Sequence, residues 1–148
     1  MSKPINVPFE TTLLVRDTCL CLHLQRAARA TARRFDEALR PLGLTNGQFS
    51  LMMSLNRPEP PRIGSVATLL AMDRTTLTAA LKPLERRGLL EVKPDPEDRR
   101  SRLLTLTGAG RSLLAAAIPI WDRTHKSLDG LIGGSDPDQL RKNLRSLS

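Results

Sequence analysis

The segment IGSVATLLAMDRTTLTAALKPLERRGLLEVKPDPEDRRSRLLTL, residues 63–106, decides the fold. In its first eight residues, apolar side chains recur at the spacing of one helical face, which predicts a short helix over Ile63–Leu70. Asp73 is a favoured N-cap for a second helix that runs to Arg87, and Gly88 is a favourable residue just beyond a helix end. Two helices joined by a tight turn follow.

The residues after Gly88 predict two strands. Leu89–Val92 and Leu103–Leu106 have extended character, and the polar stretch Lys93–Arg102 separates them. Helix, turn, helix and hairpin in this order are typical of a winged helix-turn-helix, whose second helix enters the major groove of DNA. The sequence therefore predicts a mainly α protein with a small β-hairpin wing.

Helical periodicity also predicts elements on both sides of this unit. The expected flanking helices cover residues 17–40, 46–55 and 108–132, followed by a terminal helix that begins at Pro137. Thr45 with Gln48 forms a capping-box pair, and Thr107 is expected to cap the long helix after the hairpin. Pro83 and Pro119 are expected to bend the helices that contain them.

These elements divide the chain into three expected regions. They are an N-terminal arm (1–16), a helical dimerisation region (17–44 and 107–148) and a winged helix-turn-helix DNA-binding domain (45–106). The flanking helices carry more apolar surface than the central unit can cover. The natural partner of this excess apolar surface is the same surface on a second copy of the chain. An intramolecular helical cap is the alternative.

Charge points to a polyanionic partner. The chain has 23 Lys and Arg against 15 Asp and Glu, a net charge of +8 and a sequence pI near 10.7. Such a balance favours nucleic acid or an anionic membrane surface. With three Phe, one Trp and no Tyr, there is no patch of interleaved aromatic and basic residues for stacking single-stranded bases, so duplex DNA is preferred over RNA.

The sequence also predicts a cytoplasmic location. No apolar run approaches the length needed to cross a bilayer, and the N-terminal residues lack the apolar core of a signal peptide. Two cysteines, Cys19 and Cys21, are too few and too close for a disulfide framework.

The outer face of the second helix suits DNA. Short threonine side chains allow a close approach to base edges, and arginine or lysine can read guanine or bind phosphate. The predicted DNA contacts are Arg74, Thr75, Thr76, Thr78, Lys82 and Arg86 on this helix and Arg99, Arg100 and Arg102 on the hairpin tip. Asp98 is expected to orient a wing arginine through a charge-assisted hydrogen bond. A solvated basic face is the alternative interpretation.

Four motifs, DRTTLT (73–78), LERRGLL (84–90), DPEDRR (95–100) and LTLTGAG (104–110), closely resemble the MarR family of bacterial transcription regulators. The resemblance implies a homodimer in which the first and last helices interlock. It also implies a recognition helix at residues 73–87 and a wing arginine at Arg100 supported by Asp98. Finally, it implies repression relieved by a small-molecule effector or, in some members, by cysteine oxidation.

Other chemistry is weakly marked. Cys19 and Cys21 are expected to be buried apolar residues, with a redox-sensing repressor as the alternative and a metal site, completed by His23, as a third reading. His125 is expected to be a core histidine or a pocket wall. The sequence shows no catalytic constellation, so neither an enzyme, a cofactor nor a metal is predicted. A basic membrane-surface or interaction protein explains the charge alone.

Overall fold

Seven α-helices and one antiparallel hairpin make up the fold, which a computed structural model describes for residues 1–148. The helices are α1 (Phe9–Thr18), α2 (Leu20–Leu39), α3 (Asn46–Ser54), α4 (Ile63–Leu69), α5 (Arg74–Arg86), α6 (Gly108–Leu131) and α7 (Pro137–Arg145). Strands β1 (Leu90–Pro94) and β2 (Arg102–Leu106) form the hairpin, and a 3-10 turn (Arg40–Leu42) follows α2. The predicted fold class is confirmed.

An aliphatic core holds the winged helix-turn-helix together. Seventeen buried hydrophobic residues form one cluster, and most of them come from α3, α4, α5 and the hairpin. The long helices α2 and α6 contribute to it through Leu39, Leu114 and Ala117. The central unit is thus packed against the helices that flank it.

Side-chain caps fix the starts of α3, α5, α6 and α7. The Thr45 hydroxyl accepts from the Gln48 backbone N–H, and the Gln48 side chain accepts from the Thr45 N–H, which confirms the predicted capping box. Asp73 and Thr107 cap α5 and α6 as expected. Such a cap contributes about 1 kcal/mol, because it satisfies backbone donors that have no partner within the helix.

The expected single helix over residues 17–40 is wrong at its start. Helix α1 begins in the predicted N-terminal arm and runs past its end to Thr18. The helical course then breaks at Cys19, whose backbone is extended (φ −66°, ψ 109°). The Thr18 hydroxyl donates to the Leu14 carbonyl at 2.6 Å and so competes with the helical hydrogen bonds there. Helix α1 buries no residue in the protomer, so periodicity gave no signal for it.

Both prolines that were expected to bend helices lie inside continuous ones. Helix α5 runs through Pro83 and α6 runs through Pro119. The bends themselves stay predictions.

The start of α6 is locked to the start of β1. The Thr107 hydroxyl donates to the Gly88 carbonyl at 2.6 Å, and the Thr107 N–H donates to the Leu89 carbonyl at 3.1 Å. Gly110 lies directly against that Leu89 carbonyl, where a side chain would overlap the oxygen. This close approach of backbone to backbone sets how α6 meets the winged unit.

Candidate nucleic-acid interface

Helix α5 has one buried face and one exposed face. Leu77, Leu81 and Leu84 are buried in the core. The predicted contact residues of this helix are all exposed: Arg74, Thr75, Thr76, Thr78, Lys82 and Arg86. The face that was expected to read DNA is therefore open to solvent in the protomer.

The N-terminus of α5 is organised by Asp73. Its carboxylate accepts from the Thr76 backbone N–H at 2.8 Å, and this bond, together with the Thr76 hydroxyl, lowers the pKa of Asp73 below its ordinary value. The Thr76 hydroxyl donates to Asp73 at 2.7 Å, so its proton is already in use. Among the threonines, Thr75 and Thr78 have no such intramolecular bond and are the freer pair for base edges.

Arg74 is directed toward the preceding helix. A Cβ added to Gly64 would lie 2.8 Å from Nη2 of Arg74, so the guanidinium occupies the space that the missing side chain leaves. Arg74 therefore lies where α4 and α5 begin and makes no ion pair within the chain. A DNA backbone phosphate near these two helix starts would interact with the positive charge of the Arg74 guanidinium.

The hairpin tip presents arginines with unused donors. Arg99 and Arg100 are exposed and their guanidinium groups have no hydrogen-bond or ion-pair partner in the protomer. Arg102 differs, because its Nη1 donates to the Ser101 carbonyl at 3.1 Å. Asp98 accepts from the Arg100 backbone N–H at 2.9 Å and not from an arginine side chain, so its contact orients the loop backbone. Its orienting role stays a prediction, carried by a different bond from the one expected.

Two arginines with specific roles were missed from the sequence. Arg87 donates to the Gly43 carbonyl at 2.7 Å and so ties the end of α5 to the turn after α2. Arg62, just before α4, lies 2.9 Å from Asp95 at the base of the hairpin tip. Asp95 and Ser101 are buried, although they lie in the polar stretch that was expected to form the hairpin tip. Their partners are too distant in sequence for periodicity to connect them.

Neither cysteine is buried in the protomer, which corrects the expectation of buried apolar thiols. Cys19 is partly exposed and Cys21 is exposed, with its Sγ accepting from Gln25 at 3.4 Å. His23 contacts the Cys19 carbonyl at 2.7 Å and not the thiol. His125 is half-buried on α6 and stacks on Trp121 with ring centroids 4.8 Å apart. Its role as a core histidine or a pocket wall stays a prediction.

Two adjoining grooves open between α2, α3, α4 and α6. One has a volume of about 350 Å³ and is lined mainly by apolar side chains of α3, α4 and α6. The other, of about 320 Å³, lies between α2, α3 and α6. Phe49, Ser50 and Trp121 line both grooves, so one aromatic wall separates them.

The terminal helices expose large apolar side chains. Phe9 of α1 is 68% exposed and Leu131 of α6 is 62% exposed. Other exposed apolar side chains near the two ends of the chain are Leu14, Val15, Leu20, Leu140, Leu144 and Leu147. None of the seven helices combines the length and the hydropathy that crossing a bilayer requires.

The sequence profile of the MarR family matches residues 44–101 of this chain. The transcriptional regulator HosA of Escherichia coli O111:H- is 34% identical over 106 residues, which cover 70% of this chain and 77% of HosA. The chain belongs to the MarR family. The predicted membership, and with it the winged helix-turn-helix fold, is confirmed.

Solved structures of MarR-family architecture agree. The Mycobacterium tuberculosis transcriptional regulator MosR in complex with DNA has 32% identity and a TM-score of 0.79, covering 87% of this chain and 92% of MosR. The transcriptional repressor CouR, bound to a 23-mer DNA duplex, has 33% identity and a TM-score of 0.76, covering 86% of this chain and 91% of CouR. Both neighbours were solved with DNA, and both are named as regulators of transcription.

Proposed function

We propose that this MarR-family chain is a homodimeric, sequence-specific transcription regulator that represses by binding a pseudo-palindromic operator and is released by a small-molecule ligand. The observation that carries the proposal is the exposed face of α5 beside a hairpin whose Arg99 and Arg100 have no partner in the protomer. Its relatives are named as regulators and repressors, so no enzymatic activity is proposed. The proposed DNA target places it in the cytoplasm.

The two reading elements divide the work by groove. Helix α5 places Thr75 and Thr78 at base edges in the major groove, where a short side chain allows the backbone to come close. Arg100 enters the adjoining minor groove, whose negative potential attracts an unpaired guanidinium. Lys82 and Arg86, further along α5, bind phosphate and add salt dependence.

The dimer follows from the apolar surface that the protomer leaves uncovered. Helices α1, α6 and α7 expose large apolar side chains at both ends of the chain. A two-fold axis pairs this surface with itself and sets two copies of α5 at the spacing of successive major grooves. Without such pairing, one helix-turn-helix would read only a few base pairs.

The two grooves between α2, α3, α4 and α6 offer the ligand its place. They lie between the winged unit and the flanking helices, so a molecule seated there changes how the two meet. Trp121 is the chain's single tryptophan and lines both grooves. Binding of a small, largely apolar effector is therefore expected to change the fluorescence emission of Trp121 as the protein releases DNA.

A salt titration tests the proposed function. Binding to labelled duplex DNA should weaken steeply as salt rises, because bound phosphates release counterions. The double variant Thr75→Ala, Thr78→Ala should lose preference for the operator over random duplex, whereas Arg123→Ala, which removes an exposed arginine of α6, should bind like the wild type. Equal preference in the threonine variant and the wild type would contradict the assignment of α5.

Oxidation-controlled release is a second candidate, favoured by the exposed thiol of Cys21 and the partly exposed thiol of Cys19. Peroxide treatment of the reduced protein should release DNA, and a Cys19→Ser, Cys21→Ser variant should resist. Equal release from both proteins would refute this mechanism. Release by peroxide that needs only one of the two thiols would identify the sensor.

A further inference from the structure

Arg62, just before α4, pairs with two carboxylates of the hairpin tip. Arg62 places its Nε 2.9 Å from Oδ2 of Asp95, and its Nη2 lies 3.4 Å from a carboxylate oxygen of Glu97. The Asp95 side chain is only 3% exposed, whereas that of Arg62 is 49% exposed. The Nε–H is not aligned for a hydrogen bond, so the guanidinium charge is the partner that Oδ2 has.

Asp95 in turn organises the loop that carries the wing arginines. Its other carboxylate oxygen accepts from the Glu97 N–H at 2.9 Å, and its own N–H donates to the Ser101 carbonyl at 3.3 Å. The Asp98 N–H donates to the Asp95 carbonyl at 3.3 Å. Both arms of the loop around Arg100 are thus fastened to one residue.

The backbone of residues 61–62, on the Arg62 side of the Arg62–Asp95 pair, is held by a hydrogen bond to β2. The Leu104 N–H donates to the Pro61 carbonyl at 3.0 Å, and Arg62 pairs with Leu103 as an isolated antiparallel bridge. Residues 61–62 therefore form a short third edge beside β2. Arg62 stands at the junction where α4 begins and the wing is held.

Charge explains why this arginine matters. A carboxylate as buried as Asp95 is costly without a cation beside it, so loss of Arg62 favours loop conformations that return Asp95 to water. Glu97 would also repel DNA phosphate, and Arg62 offsets that charge. A mobile loop must be ordered when DNA binds, and that ordering lowers affinity.

We propose that Arg62 is a positioning residue for DNA binding: through Asp95 it fixes the loop of Arg100 before DNA arrives, without itself contacting DNA. This inference rests on the proposed function. Arg62→Ala should weaken binding to the selected operator duplex about tenfold, the cost of ordering the loop during binding. Arg62→Lys, which keeps the charge, should lie between the two.

The experiment compares the wild type with Arg62→Ala, Asp95→Asn and the double variant, using the operator duplex recovered from a random pool. Hydroxyl-radical footprints of Arg62→Ala should lose protection in the minor-groove flanks and keep it over the α5 sites. The Arg100 amide of the DNA-free variant should show increased nanosecond motion in ¹⁵N relaxation. In the Asp95→Asn background, Arg62→Ala should cost little more, because the two residues act as one unit.

Three results would overturn the inference. Unchanged affinity and footprint in Arg62→Ala would show that the pair does not position the wing. An equal loss in the wild-type and Asp95→Asn backgrounds would show that Arg62 binds phosphate itself. If Arg62→Ala does not fold, wild-type affinity in both Arg62→Lys and Asp95→Asn would be the contrary result. Failure of the wild type to bind any duplex would instead defeat the proposed function, and this inference with it.

Discussion

Gly110→Ala should be strongly destabilising, because the residue touches the backbone of a different element. A Cβ at this position would lie 3.0 Å from the Leu89 carbonyl carbon and closer still to its oxygen. That oxygen also accepts the Thr107 N–H at 3.1 Å, so it cannot move away without breaking the link between β1 and α6. Overpacking against backbone of this kind costs about 3 kcal/mol or more.

The assay is urea unfolding of Gly110→Ala beside a matched variant, Gly108→Ala. Gly108 lies in the same helical turn, but a Cβ there would have no atom within 4 Å. Gly108→Ala should therefore be neutral or slightly stabilising, since alanine favours a helix over glycine. Equal unfolding midpoints for the two variants would refute the close packing of α6 on β1.

Three further predictions concern Arg100, Ala71 and the two aspartates Asp36 and Asp73. Arg100→Ala should weaken operator binding about tenfold at physiological salt and leave the melting temperature unchanged, since the side chain has no partner in the protomer; unchanged affinity would refute the wing assignment. Ala71, in the turn before α5, has φ +52°, so Ala71→Gly should raise the free energy of unfolding by about 0.5–1 kcal/mol, and a lower value would contradict the strain. Hydrogen bonds from Asn46 and Thr76 lower the pKa of Asp36 and Asp73, so the unfolded chain protonates first and stability is lost as pH falls below about 4; melting temperatures of an Asp36→Asn, Asp73→Asn variant should depend less on pH, and an identical profile would refute this origin.

Local chemistry made much of the winged unit predictable. The cap at Asp73 and the leucine stripe of α5 are set by neighbours within a few residues, and both are present as expected. The faces of a helix follow from its periodicity, so exposure of Thr75 and Thr78 could be read before the structure was known. The hairpin needed only two extended runs and a polar turn between them.

Features that depend on distant residues were not predictable. Arg62 and Asp95 are brought together only when α4 packs beside the hairpin, and nothing in either local sequence marks the pair. Helix α1 has no buried face within the protomer, so no apolar periodicity predicted it. Asp98 was expected to bond an arginine side chain, but its carboxylate accepts from the Arg100 backbone N–H. A carboxylate two residues before Arg100 reaches that N–H readily.

Selection of bound sequences from random duplex DNA by the wild-type protein tests the paired reading elements most directly. We expect two copies of one short motif, related by two-fold symmetry and centred about 10 base pairs apart, with A·T-rich flanks where the two hairpins enter narrow minor grooves. A pool without enriched sequence, or a single motif with no symmetric mate, would contradict a dimer that reads DNA through α5.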